Sequence, residues 1–187
     1  MRITGGELGG RRIPPPRTGF VRPTPDAVRE ALFNLLPDMR GGRFLDLYAG
    51  TGIVGLEALS RGAATAVFVE RQAVNGRRLR ELLADFGLQG RSRVIIAEVR
   101  KGVKILMEEG RKFEVVFADP PYERALIEGT VACCRRGDIL VSGGLLVLQR
   151  SVREIIDPVV EDRGLILKAE RRYGDTVLSF LEQAMED

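Results

Sequence analysis

The fold is decided by the stretch Phe44-Leu45-Asp46-Leu47-Tyr48-Ala49-Gly50-Thr51-Gly52. Its first four residues form a short apolar run with one carboxylate near the end, which predicts a buried parallel strand. The two glycines allow a sharp turn and a close approach to a ligand, because neither carries a Cβ. Residues Ile53 to Leu59 follow with helical spacing and end before Gly62. Strand, glycine turn and helix together are typical of the mononucleotide-binding half of a doubly wound sheet.

Two classes of ligand fit this turn. The pattern Gly50-x-Gly52-x-x-Gly55 matches the dinucleotide fingerprint, and Glu70 stands near the expected ribose-binding position. However, Asp46 at the strand end would meet a pyrophosphate as a like charge. The chain also leaves too little length for a separate substrate domain. S-adenosylmethionine carries a sulfonium and an ammonium and no phosphate, so an acidic strand end suits it better.

The composition restricts the chemistry. A chain of 187 residues that is 44% hydrophobic supports one compact α/β domain. The absence of histidine excludes histidine bases and most transition-metal sites, and we expect no metal. Cys133 and Cys134 are adjacent, so we expect packing residues of a helix rather than a disulfide or zinc ligands. We find no signal peptide and no membrane-spanning run, and we expect a soluble, cytoplasmic protein.

The amino-terminal stretch is basic. Six arginines and two acidic residues lie between Met1 and Arg29, whereas the net charge of the whole chain is only +3. This local basicity indicates either a polyanion partner or a solvated arm. Arg2-Ile3-Thr4 could pair with Arg11-Arg12-Ile13 across the intervening glycines as a small hairpin. Because residues 1–20 contain so little apolar surface, we expect them to lie against the domain or against nucleic acid.

The rest of the chain alternates between helical and strand patterns. Thr24 is the predicted N-cap of the first helix, with Pro25 and Asp26 in its first turn. Arg29 and Asn34 lie off the apolar stripe of that helix, either at the surface or over a cofactor mouth. Gly174-Asp175 predicts a terminal hairpin. The predicted strands are 44–47, 64–69, 93–97, 113–118, 145–149, 165–173 and 176–181, and the later helices are 53–59, 72–86, 100–109, 123–136 and an amphipathic segment at 152–162.

Asp119-Pro120-Pro121-Tyr122 follows the fourth strand and is the most specific motif. An exocyclic amine on a base is a poor nucleophile, and the Asp119 carboxylate and Pro120 carbonyl could accept its hydrogens and so expose its lone pair. Consecutive prolines fix that carbonyl, and Tyr122 offers a flat face for stacking the base. The alternative is an ordinary Pro-Pro loop with a buried tyrosine. Since the first and fourth strands should be neighbours, we expect this loop and the glycine turn to open onto one pocket.

Several different motifs are distributed over essentially the whole chain. They are Ile3-Thr4-Gly5-Gly6, Gly10-Arg11-Arg12-Ile13, Arg22-Pro23-Thr24, residues 28–34, residues 46–52, Asp119-Pro120-Pro121-Tyr122 and Tyr173-Gly174-Asp175-Thr176. In these motifs the sequence resembles the bacterial 16S ribosomal RNA guanine-N2 methyltransferases of the guanine-966 type, within the class I S-adenosylmethionine-dependent methyltransferases. The glycine motif identifies only the superfamily, and the opening and the segment from Arg22 to Asn34 narrow the resemblance to this family.

The resemblance implies a Rossmann-like fold, with a seven-stranded, mostly parallel sheet, an antiparallel last strand and helices on both faces. It implies an arm at residues 1–20, a methyltransferase domain at residues 21–187, and methyl transfer to N2 of one guanine in 16S rRNA. The implied cofactor-binding residues are Asp46, Tyr48, Ala49, Gly50, Gly52, Glu70, Arg71, Glu98, Val99 and Thr24. The implied catalytic residues are Asp119, Pro120 and Tyr122. The implied substrate- and RNA-binding residues are Arg2, Arg11, Arg12, Arg22, Arg29 and Asn34.

Two positions depart from the pattern of the family. Gln149 ends the fifth strand where the family implies an acidic residue, and Glu98 replaces a shorter polar residue before the adenine loop. The alternatives are an amino-group methyltransferase acting on DNA, protein or another RNA, and a non-catalytic RNA-binding protein with the same fold. We expect the substrate to be an assembled 30S particle rather than naked RNA, because the arm is too short to contact a long RNA by itself. We expect a monomer and no membrane partner.

Overall fold

The structure, a computed structural model, describes residues 1–14, 24–121, 124–136, 139–154, 156 and 164–184. Two predicted site residues, Arg22 and Tyr122, lie outside the described residues, as does most of the amphipathic segment at 152–162. The chain divides into two compact units, Met1–Glu98 and Val99–Asp187. The described part of the basic arm belongs to the first unit.

The first unit is built on three parallel strands in the order β3-β2-β1. Asp46 pairs in register with Phe68, and Glu70 pairs with Ile96. The carboxyl ends of the three strands therefore lie at one edge, where parallel α/β sheets bind their ligands. The elements are α1 (Asp26–Leu35), β1 (Arg43–Leu47), α2 (Ile53–Ser60), β2 (Thr65–Glu70), α3 (Ala73–Asp85), a short 3₁₀ turn (Gln89–Arg91) and β3 (Ser92–Ile96).

The first helix begins one residue later than predicted. Its N-cap is Pro25, whose ψ of 147° is extended, and no side chain caps the helix. Thr24 therefore does not act as the cap, because the proline holds the chain extended for one further residue. Asp26 lies in the first turn as predicted, where a carboxylate is favoured by the helix dipole.

The basic arm folds onto the first unit as a hairpin. Arg2 pairs with Arg12 across an antiparallel bridge, and the Ile3 N–H donates to the Arg11 carbonyl at 3.0 Å. Ile3 and the side chain of Leu8 are buried. The arm is joined to the end of α2, where the Leu8 N–H donates to the Ser60 hydroxyl at 2.9 Å. The predicted hairpin is confirmed, and residues 1–14 lie against the first unit, which is one of the two expected alternatives.

The second unit contains four strands in the order β4-β5-β7-β6. β5 runs parallel to β4, whereas β7 is antiparallel to both β5 and β6. The turn at Gly174-Asp175 joins β6 to β7, which confirms the predicted hairpin. The elements are α4 (Val99–Glu108), β4 (Phe113–Ala118), α5 (Arg124–Arg136), β5 (Leu140–Ser151), β6 (Leu165–Tyr173) and β7 (Thr176–Gln183).

β5 is longer than predicted at its amino end. The strand begins at Leu140 rather than at residue 145, and its register against β4 shifts between the partners of Phe113 and Val115. Gly143, with a φ of +70°, lies within this irregularity. Gly143 and Gly144 therefore lie inside β5, where they interrupt its pairing with β4, and do not precede the strand as predicted. Glycines often mark β-bulges of this kind.

The predicted fold class is confirmed. The chain is α/β, with seven strands that are mostly parallel and a last strand that is antiparallel to both of its neighbours. The two cysteines form no disulfide bond, and Cys134 is buried in α5, where burial raises the pKa of its thiol well above its ordinary value. Among the described residues, no helix is both long and apolar enough to cross a membrane.

Candidate active site

The glycine turn after β1 has a tightly constrained backbone. Tyr48 has a φ of +64°, a left-handed conformation that costs a non-glycine residue about 1–2 kcal/mol. Gly50 and Gly52 also have positive φ angles, and a Cβ on Gly52 would lie 2.3 Å from Cδ1 of Leu79. Backbone strain of this kind is concentrated at ligand-binding turns. The sequence motif thus forms the compact turn predicted from it.

Two carboxylates hold this turn in place. The buried Asp46 accepts a hydrogen bond from the Gly55 N–H at 2.9 Å, near the amino end of α2. Glu70 accepts from the Gly50 N–H at 2.8 Å through one oxygen and from the Gln72 N–H at 2.7 Å through the other. Glu70 therefore joins the end of β2 to the glycine turn. Its predicted contact with a ribose stays a prediction, and its role in holding the turn was not predicted.

The residues at this edge fit S-adenosylmethionine. Asp46, Glu70 and Glu98 lie at or just beyond the carboxyl ends of the three strands of the first unit, and Arg71 points its exposed side chain into solvent. The edge thus offers carboxylate acceptors to ribose hydroxyls and to a cationic sulfonium or ammonium. A pyrophosphate would need donors and positive charge here instead. Tyr48 and Ala49 lie in the glycine turn directly after β1, and their contact with the cofactor stays a prediction.

A pocket of about 120 Å³ lies beside the glycine turn within the first unit. The turn contributes Gly50 and Thr51, the arm contributes Ile13 and Pro14, and α3 forms the remaining wall. The lining residues of α3 are Asn75, Arg78, Leu79, Glu81, Leu82 and Asp85. No local sequence pattern indicates this pocket, because the arm approaches the turn only through tertiary packing.

Asp119 directly follows β4, and its carboxylate accepts a hydrogen bond from the Gln149 side-chain amide at 2.9 Å. Burial raises the pKa of Asp119 to about 7; the Gln149 hydrogen bond opposes this rise, and the negative charge of Glu154 adds to it. Pro120 is buried and Pro121 is exposed. The carboxyl group of the motif therefore titrates near neutral pH, as groups at functional sites often do. The position of Tyr122 lies outside the described residues.

Arg29 requires a correction, because the structure assigns it to the core rather than to RNA. Its side chain is fully buried, and it donates to Glu57 at 3.2 Å and to the Thr24 carbonyl at 3.2 Å. It also donates to the Arg2 carbonyl and to Asp26. A guanidinium enclosed by these acceptors cannot reach a phosphate. Arg29 instead joins α1 to the arm and to α2.

Glu57 is the buried partner that sequence reasoning missed. It also accepts from the Thr4 N–H at 2.8 Å, the Thr4 hydroxyl at 2.7 Å and Arg61 at 2.9 Å. Burial by itself would raise the pKa of Glu57, but hydrogen bonds from Thr4, Arg61 and Arg29 hold it below its ordinary value. One signal was available, since Glu57 is the single charged residue in α2, every residue of which is buried.

The remaining described RNA candidates have exposed side chains. Arg2, Arg11, Arg12 and Asn34 are all at the surface of the first unit. Arg11 places its guanidinium 5.0 Å from the centre of the Phe86 ring, a cation–π arrangement. Their contact with RNA stays a prediction, and Arg22 lies outside the described residues.

Comparison with known proteins gives the family. The sequence model of a family described as conserved hypothetical protein 95 matches residues 1–182. The ribosomal RNA small subunit methyltransferase D of Escherichia coli K12 is 37% identical over 153 residues, which cover 81% of this chain and 75% of that protein. The chain belongs to the ribosomal RNA small subunit methyltransferase D family. The family resemblance stated from the motifs is thereby confirmed.

Two further proteins are similar to this chain over nearly its whole length. A putative rRNA methyltransferase, YlbH, of Bacillus subtilis 168 is 29% identical and covers 94% of this chain and 95% of its own length. The solved structure of the putative methyltransferase yhhF from Escherichia coli superimposes with a TM-score of 0.85 at 31% identity, covering 100% of this chain and 99% of that one. The shared fold extends over the whole chain.

Proposed function

We propose that the protein transfers a methyl group from S-adenosylmethionine to the exocyclic N2 amine of one guanine in 16S ribosomal RNA, of the guanine-966 type. The observation that carries this proposal is the Asp119 carboxylate at the end of β4, held through one oxygen by Gln149. No described residue donates to the other Asp119 oxygen, so it is available to an amine. Membership of the ribosomal RNA small subunit methyltransferase D family supports the same reaction.

The first unit would hold the cofactor at its acidic edge. Glu70, already fixed against the glycine turn, would accept from ribose hydroxyls, and Asp46 would provide negative charge beside the turn. When bound, S-adenosylmethionine supplies a methyl group on a sulfonium, which is a good leaving group. Glu98 and Val99, at the end of β3 and the start of α4, would contact the adenine.

The second unit would activate the amine. In its ionised form Asp119 accepts a hydrogen from the guanine N2, and the Pro120 carbonyl accepts the second, which favours a pyramidal nitrogen. The new N–C bond forms as the C–S bond breaks, and the cationic amine then releases a proton to solvent. Because the pKa of Asp119 is about 7, the rate should fall as the pH drops through neutrality. Tyr122 would stack on the base.

The arm would contact the RNA. Arg2, Arg11 and Arg12 are exposed on the hairpin and would bind phosphates. The family resemblance implies that Arg22, Thr24 and Asn34 would close the pocket. A hairpin of this size cannot select one guanine in a long RNA, so the folded 30S particle would supply the rest of the recognition. The protein would act as a monomer in the cytoplasm, where ribosomes assemble.

Labelled methyl transfer tests the proposal. Purified protein, tritiated S-adenosylmethionine and unmethylated 30S subunits should yield N2-methylguanosine at a single position of the 16S rRNA. Asp119→Asn should abolish transfer, whereas Asp175→Asn, an exposed position on the β6–β7 turn, should retain it. Methylation of DNA or of a different base would contradict the proposed substrate. RNA binding without any transfer would favour the silent RNA-binding protein, and equal rates on protein-free RNA would contradict the particle as substrate.

A further inference from the structure

Gln149 occupies the position next to the proposed catalytic carboxylate. In the parallel pair of β4 and β5, Ala118 is in register with Leu148. Asp119 and Gln149 each follow by one residue, at the same edge of the sheet. The Gln149 side chain is almost completely buried, and its amide nitrogen lies 2.9 Å from one Asp119 oxygen. This contact joins two neighbouring strands entirely within the second unit.

We propose that Gln149 is a positioning residue for methyl transfer, whose amide fixes one Asp119 oxygen so that the other oxygen is presented to the guanine amine. The inference rests on the proposed function of Asp119. In this role Gln149 acts on the reaction through its hydrogen bond to the Asp119 carboxylate.

The restraint depends on the rigidity of Gln149. The terminal torsion of an aspartate is broad, so an unrestrained carboxylate would rotate between several orientations. Gln149 limits this rotation because its own backbone is paired with Leu178 of β7 on the side of β5 away from β4. A donor whose backbone is held in a strand gives up little further freedom when it makes the hydrogen bond.

A neutral amide also suits the chemistry better than a charged group. A lysine or arginine at this position would pair with Asp119 and weaken it as an acceptor for the amine. A glutamate would repel it and favour the protonated carboxyl. The glutamine amide donates a hydrogen bond to the ionised form without neutralising it.

The charge around Asp119 makes this donor more important. Among the described residues, Glu154 is the titratable group that acts on Asp119, and its negative charge raises the pKa of Asp119 together with burial. Glu154 is itself fixed, since one of its oxygens accepts from the Ser151 N–H at 2.8 Å. The Gln149 hydrogen bond opposes both effects. Loss of the amide should therefore misorient the carboxylate and also leave more of it protonated at neutral pH.

Two substitutions separate these consequences. Gln149→Met keeps the length of the side chain and removes the donor, and Gln149→Glu removes the donor and adds negative charge. Gln183→Glu on β7 is the matched control, because it makes the same chemical change at a position outside the Asp119 contact. Transfer to 30S subunits is measured across the pH range, with kcat separated from the KM for S-adenosylmethionine.

We expect kcat of Gln149→Met to fall roughly tenfold to a hundredfold, as for loss of a hydrogen bond to a charged group, with the cofactor KM unchanged. The acid limb of its pH profile should move to higher pH. Gln149→Glu should move the limb further in the same direction, and Gln183→Glu should match the wild type. Wild-type kcat and pH profile in Gln149→Met would overturn the inference.

An independent readout does not require turnover. Carbon-13 labelling of aspartate carboxyl groups, with Asp119 assigned by the signal missing in Asp119→Asn, reports its pKa directly. That pKa should rise in Gln149→Met. If it is unchanged in a variant with a wild-type unfolding temperature, the Gln149 hydrogen bond does not determine the pKa of Asp119, and the inference fails. If wild-type protein binds cofactor but transfers nothing, the proposed function fails. If Asp119→Asn is inactive while both Gln149 variants behave as wild type, only the positioning role fails.

Discussion

Replacing Asp119 by asparagine should stabilise the protein at neutral and alkaline pH while it abolishes methyl transfer. Burial raises the pKa of Asp119 from its ordinary value of 3.8 to about 7. Between these two values the unfolded chain is ionised at this carboxyl and the folded protein is not. The contribution of Asp119 to folding is therefore fully present below the lower value and is lost as the pH rises towards 7.

The size of the effect follows from the two pKa values. Each pH unit between them corresponds to about 1.4 kcal/mol, which gives about 4 kcal/mol if the whole difference is expressed. Asp119 keeps some contact with solvent, and we expect roughly half of this amount, about 2 kcal/mol, to develop between about pH 5 and pH 8. Asparagine carries no charge at any pH and can still accept from the Gln149 amide.

Urea unfolding at about pH 5 and about pH 8 measures this difference in the free energy of unfolding. The free energy of unfolding of Asp119→Asn, relative to the wild type, should be larger at the higher pH by about 2 kcal/mol. Asp175→Asn, at an exposed turn, should show no such change with pH. An equal stability difference for Asp119→Asn at both pH values would show that Asp119 titrates near its ordinary value, and the reasoning about its environment would be wrong.

Three further substitutions test the first unit. Arg29→Met should lower the free energy of unfolding by about 3–5 kcal/mol, because it removes the fully buried cation paired with the Glu57 carboxylate. A double variant with Glu57→Leu should recover only part of the loss in urea titrations, because Thr4 and Arg61 then lose their acceptor as well. Gly52→Ala should cost more stability than Gly87→Ala, since both have positive φ but only the first places its Cβ against a neighbour; equal losses would contradict this. Glu70→Gln should weaken S-adenosylmethionine binding in calorimetry, because one of two backbone N–H groups loses its acceptor.

The elements of the fold were largely predictable because their patterns are local. Strand β4 and the strand from Leu165 to Tyr173 have the predicted bounds, and the helices after β1 and β2 differ by a residue or so at their ends. A buried parallel strand, a glycine turn and an amphipathic helix each have a signature within a dozen residues. The extension of β5 across Gly143 was missed because glycine pairs indicate a turn more often than a bulge inside a strand.

Side-chain partners were predicted less well than elements. Arg29 and Glu57 lie 28 positions apart, and nothing local indicates that the two charges share one buried site. The offset of Arg29 from the apolar stripe of α1 suggested a surface residue, but the arm covers that side of the helix. A charge that leaves an amphipathic pattern can thus be exposed or paired in the core, and only the tertiary packing decides between them.

The side-chain partners of Asp119, the candidate catalytic carboxylate, also depend on tertiary packing, and here they affect function. The motif at the end of β4 predicts that Asp119 lies at the site. Whether its carboxylate is ionised and able to accept a hydrogen bond depends on the Gln149 amide, 30 positions away, and on the negative charge of Glu154. Sequence order places Gln149 at the end of a strand without showing which strand lies beside it. Once β4 and β5 are paired in register, the departure from the family pattern at Gln149 becomes a direct contact with Asp119. An acidic residue at position 149 would add negative charge beside Asp119, whose ionisation Glu154 already opposes. In this chain the neutral Gln149 amide instead favours the ionised form of Asp119 near neutral pH.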